Sequence, residues 1–109
     1  MARQDALQGS LPLLVLKILA RRGPLHGYGI ALRIEAMSED ILRVEEGSLY
    51  PALHRMEEAG WIKAKWATTP SNRRVRAYDI TAAGRKQLEG ELIRWRSITA
   101  AVDAVLEQA

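Results

Sequence analysis

The side chains that could do chemistry are concentrated in one short basic segment. Between Trp61 and Ala77 lie five cationic residues with no acidic residue among them. They are Lys63, Lys65, Arg73, Arg74 and Arg76. Each cation that meets a phosphate releases counterions from DNA, so a basic stripe confined to one element is typical of a nucleic-acid interface. The segment therefore predicts DNA contacts, with a solvated surface as the alternative for Lys63.

The chain lacks the residue sets that catalysis and metal binding need. It contains no cysteine and two histidines, which excludes disulfides and thiolate ligands. Nothing in the sequence indicates that His26 and His54 come together, so we expect no metal site. The segment Gly27–Gly29 lacks the third glycine and the preceding strand of a dinucleotide fingerprint. We therefore expect neither a cofactor nor an enzymatic activity.

The first predicted helix begins at Ser10, because a serine cap with Pro12 in the first turn is a typical helix start. The run from Leu13 to Leu19 is apolar except for Lys17. A helix that is apolar on nearly all sides must be covered on nearly all sides, and a chain of 109 residues supplies limited cover. We therefore expect a second copy of the chain to cover part of this helix, including Leu14.

The third predicted helix is the one best defined by its sequence. A second helix over Gly27–Met37 and a short extended segment over Asp40–Val44 precede it. Pro51 cannot lie deep inside a helix, so the third helix must begin near Gly47 or Ser48.

Helical spacing gives this third helix an inner and an outer face. Leu49, Leu53 and Met56 recur at i, i+4 and i+7 and form a core stripe, and Gly60 ends the helix. The outer face and its edges carry the candidate DNA contacts Ser48, Tyr50, Pro51, His54 and Arg55. Arginine and histidine there could reach base edges, and a helix start can hold a phosphate.

Each of these candidates also has a structural alternative. Tyr50 could be a half-buried packing residue, and Ser48 could simply help to start the helix. Arg55 could pair with Glu58 at i, i+3 on a solvated face that also carries His54.

A hairpin and a long helix complete the predicted elements. Alternation with period two predicts strands over 62–66 and 75–80, joined by the turn-forming segment Thr68–Asn72. Thr81 caps a last helix that runs to about Leu106 and is roughly 37 Å long. Its apolar seam, with spacing 4-3-4-3-4, comprises Leu88, Leu92, Trp95, Thr99, Val102 and Leu106, and Ile98 and Val105 widen it. Such a helix needs a partner, and a second copy of itself is the simplest one.

The order of elements predicts a mainly α fold with a small β-hairpin: a winged helix-turn-helix followed by a long C-terminal dimerisation helix. We expect a winged-helix DNA-binding domain over residues 1–80 and the dimerisation helix over residues 81–109. In a helix-turn-helix the recognition helix enters the major groove, and a dimer contacts two half-sites one helical turn apart.

Three segments carry a resemblance to a known family. They are HGYGI at His26–Ile30, EGSLYPALHRME at Glu46–Glu57 and YDITAAG at Tyr78–Gly84. Together they resemble the PadR family, and the resemblance runs from about Leu7 to the last helix. The single C-terminal helix is similar to that of the short PadR subgroup.

The resemblance implies a homodimeric repressor that binds inverted-repeat operators and, in some members, is released by a small ligand. In the family, the tyrosine of the L-Y-P motif contacts DNA, which here is Leu49-Tyr50-Pro51. The basic wing tip of the family corresponds to Arg73, Arg74 and Arg76.

The resemblance also implies a candidate effector pocket. Members of the short subgroup stack planar ligands on a tryptophan of the last helix, which corresponds to Trp95 with Leu92 and Ile98 beside it. The favoured alternative is an ordinary dimer-core tryptophan.

Two other functions compete with a dimeric repressor. A winged-helix protein-interaction module without DNA binding would have no reason to keep an acid-free basic wing. A MarR-like regulator is generally longer and has helices at both ends, whereas this chain has little before Leu11. No apolar run approaches the ~20 residues of a membrane span, and Met1–Ser10 does not resemble a secretory signal. We therefore expect a cytoplasmic protein that does not contact membranes.

Overall fold

The computed structural model describes the backbone of residues 2–109 and the side chains of residues 9–109. The elements in chain order are α1 (Ala2–Arg22), β1 (Leu25–His26), α2 (Gly27–Met37), α3 (Glu46–Glu58), β2 (Ile62–Thr68), β3 (Arg74–Ile80) and α4 (Ala82–Gln108). Helices dominate, and the three strands form one antiparallel sheet in the order β1-β3-β2. The predicted winged helix-turn-helix with a long C-terminal helix is confirmed.

The first helix begins earlier than its sequence indicates. α1 spans Ala2–Arg22 and contains Pro12 in its interior, so the predicted start at Ser10 was wrong. An interior proline removes one backbone hydrogen bond and costs about 3 kcal/mol, which is why its position favoured a start. The residues preceding Ser10 are mostly good helix formers, and they continue the helix across the proline.

The core is built around α1, which packs against α2, α3, α4 and β3. Its buried side chains join those of the other helices and of the sheet in one cluster. The members with almost no exposed surface are Leu11, Val15, Leu16, Leu19, Ile30, Leu49, Leu53, Met56 and Ile62. The predicted inner face of the third helix is therefore confirmed, and its opposite face is exposed.

The third helix begins one residue before the predicted range. α3 starts at Glu46 with Glu45 as its N-cap residue, and Pro51 lies in its second turn. The helix stops before Gly60, which adopts a φ of +83°, a left-handed conformation that glycine adopts without steric cost. These bounds place Tyr50, Pro51 and Arg55 on exposed positions of one helix.

The sheet contains a strand that the sequence does not predict, and one predicted extended segment is not a strand. Leu25–His26 forms β1 and pairs with Tyr78 and Ala77 of β3. The segment Asp40–Val44 was predicted as extended, but its first residue belongs to a tight turn, in which Asp40 has a φ of 65°. The Glu35 carboxylate accepts the Val44 N–H at 2.9 Å, which fixes the approach of the chain to α3.

The last helix is tied to the end of α3 and then leaves the body of the domain. The Thr81 hydroxyl accepts the Gly84 N–H at 3.0 Å and donates to the Gly60 carbonyl at 2.6 Å. Beyond Leu88, none of the residues of α4 is fully buried. Within the described part of the chain, no helix is both long and apolar enough to cross a membrane.

Candidate nucleic-acid interface

The start of α2, the outer face of α3 and the hairpin of β2 and β3 enclose an open groove of about 1000 Å³. The predicted DNA contacts that line it are Tyr50, His54, Arg73, Arg74 and Arg76. Other lining residues include His26, Gly27, Tyr28, Glu46, Glu57, Trp66 and Tyr78. The fold thus brings the recognition helix and the basic hairpin, which we call the wing, to one surface.

The Tyr50 side chain is partly exposed and partly packed against its neighbours. Its side chain is 41% exposed, while its ring lies against the start of α2. A Cβ atom added at Gly27 would stand 2.8 Å from Cε1 and 2.9 Å from the hydroxyl of Tyr50. Gly27 therefore lets the ring pack closely and holds the hydroxyl at the rim of the groove, where it can donate a hydrogen bond.

The outer face of α3 carries a side-chain contact other than the one that its sequence suggests. Glu58 contacts the imidazole of His54, with 3.5 Å between Nε2 and Oε2, so the alternative pairing of Arg55 with Glu58 was wrong. Within residues 9–109, the Arg55 guanidinium has no acidic partner. Ser48 is half-buried in the first turn.

Alternation along the hairpin separates four of the five wing cations into two faces. Arg74 and Arg76 lie opposite Thr68 and Trp66 on the face that lines the groove. Lys63 and Lys65 lie opposite Asp79 and Ala77 on the other face, because side chains of a strand alternate. The acidic neighbour of Lys63 favours its solvated-surface alternative, while Lys65 faces away from the groove.

The two arginines of β3 are held in different ways. The Arg76 guanidinium donates to the Glu57 carboxylate of α3 at 2.8 Å and lies 5.9 Å from the centre of the Tyr78 ring. The Arg74 guanidinium lies 4.8 Å from the centre of the Trp66 ring. Glu57 therefore offsets the charge of Arg76, whereas an uncharged ring holds Arg74.

Tyr78 closes the floor of the groove. Burial raises the pKa of its phenol above the ordinary value of 10.0, and the nearby Arg76 acts in the opposite direction. The phenol is consequently neutral at physiological pH, so its ring supports Arg76 without adding charge to the groove.

Arg73 projects from the start of β3 because a compact turn precedes it. The Thr69 N–H donates to the Arg73 carbonyl at 2.8 Å, and the Arg73 N–H donates to the Thr69 hydroxyl at 3.1 Å. Asn72 adopts a φ of 67° between them, a conformation that asparagine tolerates better than most residues. The exposed Arg73 side chain therefore stands at the wing tip.

Both histidines line the groove, although no sequence pattern indicates that they share a surface. The His26 Nδ1 atom accepts the Gly29 N–H at 2.9 Å and caps α2. Because this nitrogen accepts, the proton of the neutral ring lies on Nε2. In the structure, His26 therefore serves as the N-cap of α2.

A second groove lies between α1 and α4 and has a volume of about 540 Å³. Among the predicted dimer and pocket residues, Leu14, Leu92 and Trp95 line it, whereas Ile98 does not. The charged residues at this groove are Lys17, Arg96 and Asp103. Leu88, also predicted for the dimer seam, is only 8% exposed and belongs to the core of the chain itself.

Comparison with solved structures identifies the fold family. A transcriptional regulator of Clostridium thermocellum is 25% identical, with 92% of this chain and 96% of that chain covered and a TM-score of 0.83. A PadR family regulator of Eggerthella lenta is 25% identical, with 97% and 89% covered and a TM-score of 0.82. A PadR-like regulator of Bacillus cereus is 26% identical, with 94% and 96% covered and a TM-score of 0.78.

Two further relatives are uncharacterised proteins. Protein X of Lysinibacillus sphaericus is 23% identical over 107 residues, which cover 98% of this chain and 97% of that protein. A 37.1 kDa protein of transposon TN4556 from Streptomyces fradiae is 44% identical over 81 residues, or 72% of this chain. The match covers 21% of that longer protein.

The sequence model of the PadR-like transcriptional regulator family matches residues 15–90, which contain both the recognition helix and the wing. This match separates the chain from MarR-like regulators. The segment before Leu11 does not separate them, because α1 already extends back to Ala2. The chain belongs to the PadR-like family and is a DNA-binding transcriptional regulator, not an enzyme.

Proposed function

We propose that this regulator is a homodimeric repressor that binds inverted-repeat operator DNA and is released by a small ligand. The observation that carries the proposal is the groove in which the outer face of α3 and the arginines of the wing meet. As a regulator that acts on DNA, it is expected to work in the cytoplasm.

In this proposal α3 enters the major groove with its exposed face. Its contacts are Ser48, Tyr50, Pro51, His54 and Arg55, with Arg55 the residue best suited to a guanine edge. The wing meets the backbone or the minor groove beside it through Arg73, Arg74 and Arg76. Lys63 and Lys65 lie on the far face of the hairpin. We assign them only a longer-range electrostatic attraction to the phosphates.

A mobility-shift experiment on the DNA upstream of the gene tests the proposal. A specific shift that unlabelled copies of the same DNA compete away, and unrelated DNA does not, is the expected result. Absence of a specific shift at low salt would reject operator binding there and favour a protein-interaction module. The ratio of protomers to operator at saturation should be two.

The exposed apolar side chains of α4 support the dimer. Trp95, Ile98 and Val102 are each about half exposed, and Leu106 is 71% exposed. Trp95, Val102 and Leu106 follow the seam spacing of a helix that packs against another helix, and Ile98 lies beside them. A second copy, crossing at this helix and reaching Leu14 and Leu92, would remove this surface from water.

Val102→Asp is expected to convert the dimer into monomers, because an aspartate within the seam would lose its hydration without gaining a partner. Light scattering after size-exclusion chromatography measures the molar mass. Ala104→Asp is the matched control, since Ala104 is exposed on the side of α4 away from the seam and should leave the dimer intact. A folded dimer of Val102→Asp would remove this part of α4 from the interface.

The groove between α1 and α4 supports the effector part of the proposal. The Trp95 ring is half exposed there and lies beside Leu92 and Leu14. A planar aromatic ligand would stack on such a ring and exclude water from its face.

Titration with planar aromatic compounds is therefore expected to quench tryptophan fluorescence in a saturable way. Trp61 and Trp66 also emit, so Trp95→Phe is the required control. Saturable quenching that disappears in Trp95→Phe is the expected result. Quenching that persists unchanged in that variant would place the ligand elsewhere.

A further inference from the structure

Trp66 is a large aromatic side chain that the core does not use. Its side chain is 59% exposed, although the neighbouring inward positions of the same strand face, Ile62 and Ala64, are buried or half-buried. The difference arises because the wing extends past the body of the domain. Tryptophan is enriched among the residues that contribute most to binding at interfaces.

Trp66 contacts Arg74, and strand register explains why. Trp66 lies opposite Arg76, while Arg74 lies two residues from Arg76 on the same face. Diagonal neighbours on one face are within reach of aromatic and long side chains. The guanidinium carbon of Arg74 consequently sits 4.8 Å from the centre of the indole ring.

The contact with the Trp66 ring orients the Arg74 guanidinium without neutralising its charge. Arg76, by contrast, donates to a carboxylate at 2.8 Å, and Arg73 stands at the tip with no acidic partner within residues 9–109. A guanidinium stacked on a ring keeps its edge N–H groups free to donate, and it has less conformational freedom to lose when DNA binds.

We propose that Trp66 is a positioning residue that presents Arg74 to DNA, and that the pair favours operators with an A·T-rich sequence beneath the wing. The inference rests on the proposed DNA-binding function. Narrow minor grooves of A·T-rich DNA carry an enhanced negative potential that attracts arginine. An arginine fixed in one direction exploits that potential better than one that samples many rotamers.

A double-mutant cycle of Trp66→Ala and Arg74→Ala tests the coupling by fluorescence anisotropy with a labelled operator. Trp66→Ala is expected to weaken binding about two- to fivefold, the range of an exposed cation–π contact. The same substitution should have no effect in the Arg74→Ala background, and Trp66→Phe should recover part of the affinity. An unchanged affinity, or an equal loss in both backgrounds, would overturn the proposal.

The preference for the base composition of the DNA flanking the operator is a second measurement. It would not change in the variants if Trp66 had only a structural role. Wild-type protein is expected to prefer an operator with an A·T-rich flank over one with a G·C-rich flank, and both Trp66→Ala and Arg74→Ala should lose that preference. A preference retained by both variants would overturn the shape-reading part. Thermal unfolding should be unchanged in Trp66→Ala, because the ring is mostly exposed.

Arg73→Ala on the same DNA separates failure of this inference from failure of the proposed function. If wild-type protein binds no operator specifically, the proposed function is wrong. If Arg73→Ala weakens binding and Trp66→Ala does not, only the positioning role of Trp66 is wrong.

Discussion

Replacing Arg73, Arg74 and Arg76 together by alanine is expected to abolish tight operator binding and to flatten its salt dependence. The slope of log K against log salt should fall by about 0.9 for each phosphate that is no longer neutralised, or up to about 2.7 for each protomer. Removal of Arg76 has a second consequence, because its partner Glu57 would then present an unpaired carboxylate to the DNA. Anisotropy titrations between low and moderate salt measure both the affinity and the slope.

The two faces of the wing provide a matched control for this variant. Lys63→Ala with Lys65→Ala removes two charges from the face away from the groove, and Arg73→Ala with Arg74→Ala removes two from the groove. The two double variants lose the same charge, but the arginine variant should lose more affinity for DNA than the lysine variant. An unchanged salt slope in the triple arginine variant would reject phosphate binding by these residues.

Gly84→Ala is expected to destabilise the fold at the joint between the wing and α4. A Cβ atom there would overlap the carbonyl oxygen of Trp61 and stand 2.8 Å from Cγ1 of Ile80. The carbonyl is part of the backbone and already accepts the Thr81 N–H at 3.0 Å, so it cannot move without breaking the joint. Overpacking of this kind costs about 1–3 kcal/mol and sometimes more. Urea unfolding at a fixed protein concentration measures the change in the free energy of unfolding.

Gly90→Ala is the matched control on the same helix. A Cβ atom at Gly90 meets no other atom within 4 Å, so alanine should raise the free energy of unfolding by roughly 0.5–1 kcal/mol through its better helix propensity. The two variants make the same chemical change in opposite surroundings. Equal stability of Gly84→Ala and Gly90→Ala would show that the joint at Trp61 is not tight.

The joint between the wing and α4 also helps to fix the orientation of the candidate interface. Thr81 caps α4 and at the same time donates to the Gly60 carbonyl, so the start of α4 is tied to the end of the recognition helix. β1 adds a second tie, because its pairing with β3 fixes the wing to the start of α2. The orientation of the wing relative to α3 therefore depends on contacts outside the DNA-facing surface.

The sequence by itself determined the elements whose signals are local. Pro51 limited where the recognition helix begins, the stripe of Leu49, Leu53 and Met56 determined its inner face, and Thr81 marked the start of α4. These signals act within one or two turns of helix, where backbone hydrogen bonds and side-chain periodicity decide the conformation. The same segments carried the resemblance to the PadR family, so the fold and the regulator function could be predicted.

Only the tertiary structure decided how separate segments meet. The two-residue strand β1 has no periodicity and exists because Tyr78 and Ala77, far later in the chain, pair with it. Residues 61–77 contain no acidic residue, yet α3 brings Glu57 to Arg76, and the strand register sends Lys63 and Lys65 to the opposite face from Arg74. Contacts between distant segments depend on packing and register, which no local pattern encodes. For that reason the positioning role proposed for Trp66 depends on the tertiary contact that places its ring beneath the Arg74 guanidinium.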